Sequence, residues 1–170
     1  MECSSEKIDN YFLVTNCNNM NIIPEQLTDS HYRAVKAIYR DTFDRTEFQI
    51  KDLNTSWYYR CKEESYGFFL DRTLIGFIIT SYHVKNKDNI YVDYIAFHKD
   101  YRGKGLGTAV LNDMLKGFKE VGRSVHLYPE RPELWPWYGR LGFQMTHDGF
   151  MNFHSYDTRS KAIVSNKPHT

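Results

Sequence analysis

Long apolar runs are missing from this 170-residue chain. The longest, Leu74 to Ile79, is interrupted by Gly76 and falls far short of the roughly 20 residues a helix needs to cross a bilayer. The opening MECSSEKIDN is polar and acidic, without the basic start and apolar centre of a secretory signal. The expectation is therefore a cytoplasmic protein with no membrane partner. Cysteine is scarce: Cys3, Cys17 and Cys61 are odd in number, far apart and contain no CxxC, which reads as free thiols in a reducing compartment. The seven histidines form no H-x-x-x-H or comparable ligand set, so no metal is expected. Excess charge of one sign is absent too. With 22 Lys and Arg against 21 Asp and Glu, net +1, and no block of like charge, a nucleic-acid partner is not expected. There is no internal repeat and no low-complexity tract.

Aromatic side chains are abundant at 16 %, with 13 Tyr and 11 Phe, so core and pockets should be lined with rings. Residues 1–20 read as a polar, Asn-rich extension around one apolar patch, Tyr11 to Val14, expected to be an edge strand. Thr28 or Asp29 caps a helix running to about Phe43, with Tyr32, Val35, Ile38 and Tyr39 at helical spacing. A weaker helical stretch covers about Glu47 to Lys62. Then Tyr66 to Leu70, Leu74 to Tyr82 and Ile90 to Phe97, rich in β-branched and aromatic residues, read as three strands of a meander. Leu106, Val110, Leu111, Met114, Leu115 and Phe118 form an apolar stripe of helical period, with Gly117 a point where that helix is prone to fray. Ser124 to Tyr128 reads as a strand, Glu133 to Arg140 as a short helix, and Phe143 to Thr146 with Phe150 to His154 as a closing hairpin. The tail 157–170 is polar and expected to be flexible. The class is α+β, in a single domain over residues 21–156.

The chemistry lies between the third strand of the meander and the striped helix, at Arg102-Gly103-Lys104-Gly105-Leu106-Gly107-Thr108. Amides at a helix start are unpaired and carry the positive end of the helix dipole. Three glycines let an anion approach them closely, which makes this a phosphate or pyrophosphate site. The loop lacks the Gly-Lys-Ser/Thr ending of a P-loop and the G-x-G-x-x-G of a dinucleotide turn.

It does match R/Q-x-x-G-x-G/A. With Ile95-Ala96-Phe97 before it and Tyr138-Gly139-Arg140-Leu141-Gly142-Phe143 after it, the stretch from Leu74 to Met145 resembles the GNAT superfamily of acyl-CoA-dependent N-acetyltransferases. That resemblance implies a mixed, mostly antiparallel sheet of six to seven strands flanked by helices. It implies acetyl-CoA as co-substrate, with its pyrophosphate on the amides of Gly103, Lys104, Gly105, Leu106, Gly107 and Thr108. It also implies that Ile95, Ala96 and Phe97 pair with the pantetheine arm like an added strand, one of their amides polarising the thioester carbonyl. Arg102 is either near the phosphates or structural. Tyr138 stands where the family commonly has a tyrosine near the CoA sulfur, which makes it the candidate general acid. Arg131 and Leu134 depart from the Asn and Ala that many members place before this tyrosine, and Pro132 and Pro136 restrict the helix that carries it.

For the base, alternation puts residues 91, 93, 95 and 97 on one face of their strand, and Asp93 is its one carboxylate. A charge buried there is costly unless it serves a ligand or a partner. Asp93 therefore takes a proton from the amine, acts through water, anchors a cationic substrate, or pairs with a Lys or Arg; His83 and His126 are weaker candidates. The acceptor is expected to be a primary amine: a small cationic amine, an amino sugar or a polyamine, met by aromatic residues within Phe43 to Tyr59, Tyr82 and Tyr128 to Trp137, with Asp44, Glu47 and Asp52 nearby. A protein lysine or N-terminal amine is an alternative acceptor, and an acyl-CoA-binding module without catalysis is the alternative to an enzyme. Monomer and homodimer are equally compatible with the sequence.

Overall fold

The computed structural model describes residues 4–8, 12–17, 20–43, 47–83 and 86–155. In chain order the elements are β1 (Ser4–Ile8), β2 (Phe12–Cys17), β3 (Met20–Gln26), α1 (Tyr32–Phe43), α2 (Glu47–Tyr59), β4 (Tyr66–Leu70), β5 (Thr73–His83), β6 (Asn86–Phe97), α3 (Leu106–Glu120), β7 (Val125–Leu127), α4 (Trp135–Arg140), β8 (Gln144–Met145) and β9 (Met151–Phe153). Strands β3 to β9 form a seven-stranded mixed sheet in the order β3-β4-β5-β6-β7-β9-β8, and β1 and β2 continue that order beyond β3 as a hairpin. Among the described residues only β6 and β7 pair in parallel. This is the expected α+β architecture.

The extension over residues 1–20 holds two strands, with β1 outermost and Phe12–Val14 of the apolar patch in β2. Tyr11 and the tail 157–170 lie outside the described residues. Strand β3 was not signalled by the sequence, because only Ile22 of its residues is buried and Pro24 interrupts it. Pro24 fits because pairing with β2 stops at Ile22, so only the β4 side of the strand is engaged there. The helix expected from Thr28 begins as a 3-10 turn over Asp29–His31. Strand β6 starts at Asn86, ahead of the expected start at Ile90, and α3 runs through Gly117 to Glu120.

Strand β5, whose alternation shifts at a bulge that leaves Ile75 as the extra residue, divides the core into two layers. Phe77 and Ile79 pack with Val35, Ile38 and Tyr39 of α1 and Leu53 and Trp57 of α2, whereas Ile75 and Ile78 face the stripe of α3. The six apolar residues of that stripe are each at most 5 % exposed. At about 1.5–3 kcal/mol for each large buried side chain, this burial holds the N-terminus of α3 against the end of β6. Buried Arg60 fixes the end of α2, donating to Trp57 O at 2.6 Å and pairing with Asp29 at 2.7 Å.

Candidate active site

Two cavities meet where β6 parts from β7. The parallel pairing ends at Val92↔Leu127, while β5 stays paired with β6 up to Phe97. Among the described residues, one edge of β6 from Asp93 to Phe97 therefore has no strand beside it, and a ligand can take the vacant hydrogen-bonding positions. A cavity of about 410 Å³ follows this edge down to the start of α3, lined by Ile95, Ala96, Phe97, Arg102, Gly103, Gly105, Leu106, Gly107 and Thr108 from the expected donor site. A second cavity of about 150 Å³ is lined by Asp93, Tyr94, Phe43, Tyr128, Pro129 and Glu130, among others. Thr42, Ile95, Leu134 and Tyr138 line both.

At the helix start, Ala109 N–H bonds to Gly105 C=O at 3.0 Å, which leaves the N–H groups of residues 106–108 without a helical acceptor. Gly103 and Gly105 adopt φ of +71° and +77°, where side-chain-bearing residues are strained, and a Cβ on either would meet nothing within 4 Å. The loop is thus an open cradle of donors, and it fits a diphosphate. The Lys104 side chain does not line the cavity; its ammonium lies 5.4 Å from the Tyr101 ring centroid. Arg102 faces the cavity, but its guanidinium is tied to protein groups: Nε donates to Phe97 O, and Nη2 to Asp41 Oδ2 and Thr42 Oγ1, each at 2.8 Å.

Asp93 is placed by a feature the sequence does not signal. Ile79 opposes Tyr94 and Thr80 opposes Val92, which leaves Asp93 as the extra residue of a β-bulge. The alternation expected over residues 91, 93, 95 and 97 is broken there. Val92, Ile95 and Phe97 pack on the α3 layer, Tyr94 and Ala96 on the α1 and α2 layer, and Asp93 turns with the latter towards α2. Its Oδ1 accepts a long hydrogen bond of 3.4 Å from Ser56 Oγ on α2, and its Oδ2 is buried without a hydrogen-bond partner. Among the described residues no Lys or Arg forms an ion pair with it. Burial lifts its pKa to about 6, against the smaller opposing effect of hydrogen bonds from Ser81 and Ser56.

Tyr138, the buried residue of α4, stands at the junction of the two cavities. Burial pushes its phenol up to about 12. Trp137 beside it donates from Nε1 to Thr108 Oγ1 at 2.8 Å and so ties α4 to the first turn of α3. Leu134, a departure from the family pattern, fills the wall shared by both cavities. His83 and His126 line neither cavity. Their rings lie 4.4 Å apart, and His126 Nδ1 is 2.7 Å from Asn152 Oδ1.

Of the region expected to receive the acceptor, Phe43 and residues 128–131 line the smaller cavity, whereas Tyr58, Tyr59 and Tyr82 are exposed elsewhere. Asp44 lies outside the described residues. Thr42 had no sequence signal, since its place in both walls follows from the end of α1 packing across β6.

Residues 29–143 match the model of the Acetyltransferase (GNAT) family. An uncharacterized N-acetyltransferase of Methanocaldococcus jannaschii is 26 % identical over 160 residues, covering 84 % of this chain and 67 % of that protein. The ribosomal-protein-S18-alanine N-acetyltransferase of Escherichia coli has a similar fold, with a TM-score of 0.60 and 17 % identity over 87 % of this chain and 99 % of that one. A GNAT family N-acetyltransferase of Escherichia coli, solved in complex with CoA, superposes with a TM-score of 0.61 and 17 % identity over 86 % of each chain. The family match spans well over half of the sequence and takes in the glycine cradle, the β6 edge and Tyr138, and the chain belongs to the acetyltransferase family known as GNAT.

Proposed function

We propose that this protein transfers the acetyl group of acetyl-CoA to a primary amine by direct attack, with a small cationic amine as acceptor. Acetyl-CoA is the co-substrate, in keeping with the family and with the CoA held by a structural neighbour. The observation that carries the proposal is the meeting of the two cavities at Tyr138 and Ile95, with Asp93 in the smaller one. The cradle at residues 103–108 suits the diphosphate, and the unpaired edge of Ile95 to Phe97 suits the pantetheine amides. The amine enters from the side of Asp93.

Amines reach the site mostly as ammonium ions and must lose a proton before attack. With a pKa of about 6, Asp93 is ionised at neutral pH and holds the ammonium, then takes one proton from it and passes it to solvent. As the new C–N bond forms and the C–S bond breaks, a second proton leaves the nitrogen and one is needed at sulfur. Tyr138 is protonated throughout and donates to the departing sulfur. A thiol has a pKa of about 8.5, so a phenol at about 12 acts chiefly as a hydrogen-bond donor there and completes transfer only as the nitrogen proton replaces its own.

Thiol release from acetyl-CoA, measured with arylalkylamines, polyamines, amino sugars and peptides, tests this. Turnover with at least one small amine is expected. Turnover confined to peptides would move the acceptor to a protein, and tight acetyl-CoA binding with no turnover on any acceptor would make the chain a binding module.

A further inference from the structure

Resting on that reading, we infer that the acceptor is a monoamine whose ammonium group is carried by a flat, apolar body, and that Tyr128, braced by Phe150, selects it. Among the described residues the smaller cavity encloses one carboxylate, that of half-buried Asp93; the second carboxylate in its wall, Glu130, is exposed at the rim next to exposed Arg131. A polyamine would need several carboxylates along its length, and among the described residues this wall offers one enclosed anion. An amino sugar would need partners for its hydroxyls, because each polar group buried without one is costly. The rest of the wall is instead mostly apolar, with Phe43, Val92, Leu127, Pro129 and Leu134, and its polar groups beyond the rim are hydroxyls, of which that of Thr42 is already bonded to Arg102 and Ile38 O.

Phe43, Tyr94 and Tyr128 line the space, and Phe150 braces Tyr128 from behind. Phe43 and Tyr94 stand edge to face on the α1 side with centroids 5.9 Å apart. Tyr128 and Phe150 stand edge to face on the other side at 5.3 Å, and Tyr91 backs Phe150 at 6.4 Å. Tyr128 is 53 % exposed yet fixed in place, because its ring also rests on Gly149, where a Cβ would lie 3.3 Å from Cε2. An exposed ring held this firmly at a cavity mouth is a platform for another flat group. A cavity of about 150 Å³ is the size that holds a benzene ring. The ammonium then sits at Asp93 and the body lies between the Phe43–Tyr94 pair and Tyr128.

The test uses the full chain, acetyl-CoA, and four acceptors: 2-phenylethylamine, n-butylamine, spermidine and glucosamine, with a short peptide as a fifth arm. The expected kcat/KM for phenylethylamine exceeds those for spermidine and glucosamine by at least about tenfold, as a mostly apolar pocket with few partners for added polar groups requires. Tyr128→Ala and Phe150→Ala should each lower the phenylethylamine-to-butylamine ratio at least about fivefold, and Tyr128→Phe should restore it, since the ring and not the hydroxyl makes the platform. Binding of phenylethylamine to the CoA-loaded protein, read by calorimetry, should weaken in the same two alanine variants. Faster turnover of spermidine, glucosamine or peptide, or an unchanged ratio in both alanine variants, would overturn the inference while leaving amine acetylation intact. Acetyl-CoA binding with no amine turned over would remove the proposed function itself and this inference with it.

Discussion

Arg102 and Asp41 are joined at 2.8 Å across the site, and their pairing ties the first residue of the glycine loop to the end of α1. The same guanidinium donates to Phe97 O, the last carbonyl of β6, and to Thr42 Oγ1, whose hydroxyl itself donates to Ile38 O at 2.7 Å. One cation thus holds the donor loop, the strand edge and a wall of the acceptor cavity in register.

This bracket separates two roles for Arg102. A half-exposed ion pair alone contributes little, about 0–1 kcal/mol, but a planar guanidinium with three acceptors fixes geometry that a lysine cannot reproduce. Arg102→Lys and Asp41→Ala are therefore expected to weaken acetyl-CoA binding in parallel, each by less than about tenfold, as measured by calorimetry. If Arg102 served the phosphates directly, freeing it by Asp41→Ala would tighten binding instead.

Gly105 supports a sharper contrast. Alanine there meets no atom within 4 Å but must adopt φ near +77°, a strain of roughly 1–2 kcal/mol for an L-residue. Glutamate adds to that strain a negative charge inside the anion cradle. Gly105→Ala should lower the unfolding midpoint modestly and keep acetyl-CoA binding within about tenfold of wild type, whereas Gly105→Glu should abolish binding in a protein that is still folded by circular dichroism. Equal losses in the two variants would mean that loop conformation, and not the anion site, is what the glycine serves.

The glycine loop and α3 were legible because their signals are local: three closely spaced glycines and an apolar stripe of helical period. So were β4 and the body of β5, with rings and β-branched residues between clear turns. What was not legible depends on relations between distant segments. The bulge at Asp93 exists because β5 and β6 change register at Ile79 and Thr80, and nothing in residues 90–97 records that change. Hence Asp93 faces α2 instead of sharing a face with Ile95. The Arg102 bracket joins residues about 60 positions apart, and β3 has too few buried residues to show a strand period.

Tyr138→Phe removes one hydroxyl from the junction of the cavities. Among the described residues that hydroxyl has no hydrogen-bond partner, so its loss should leave the fold and acetyl-CoA affinity nearly unchanged. A donor that serves only the departing sulfur should appear in kcat, with a fall of about a hundredfold. An equal rise in the KM of acetyl-CoA with kcat intact would place Tyr138 in binding alone.

Asp93 makes the strongest claim on pH. Its folded pKa, about 6, lies above the unfolded value near 3.9, so between those values the native state binds more protons than the unfolded one. Stability contributed by this group is thus present at low pH and lost as pH rises from about 4 to about 6. Asp93→Asn does not titrate, and from pH 4 to pH 7 it should gain stability relative to wild type by on the order of 2 kcal/mol in urea unfolding. At the same time it should lose turnover and the limb of the kcat/KM profile centred near pH 6. Ser56→Ala provides the complementary test. Its hydroxyl donates to Oδ1 and favours the ionised form, so its removal should move that limb to higher pH while leaving acetyl-CoA affinity unaltered. A limb that stays in place in Ser56→Ala and persists in Asp93→Asn belongs to another group, and Asp93 would then be a buried carboxylate that weakens the fold without serving the reaction.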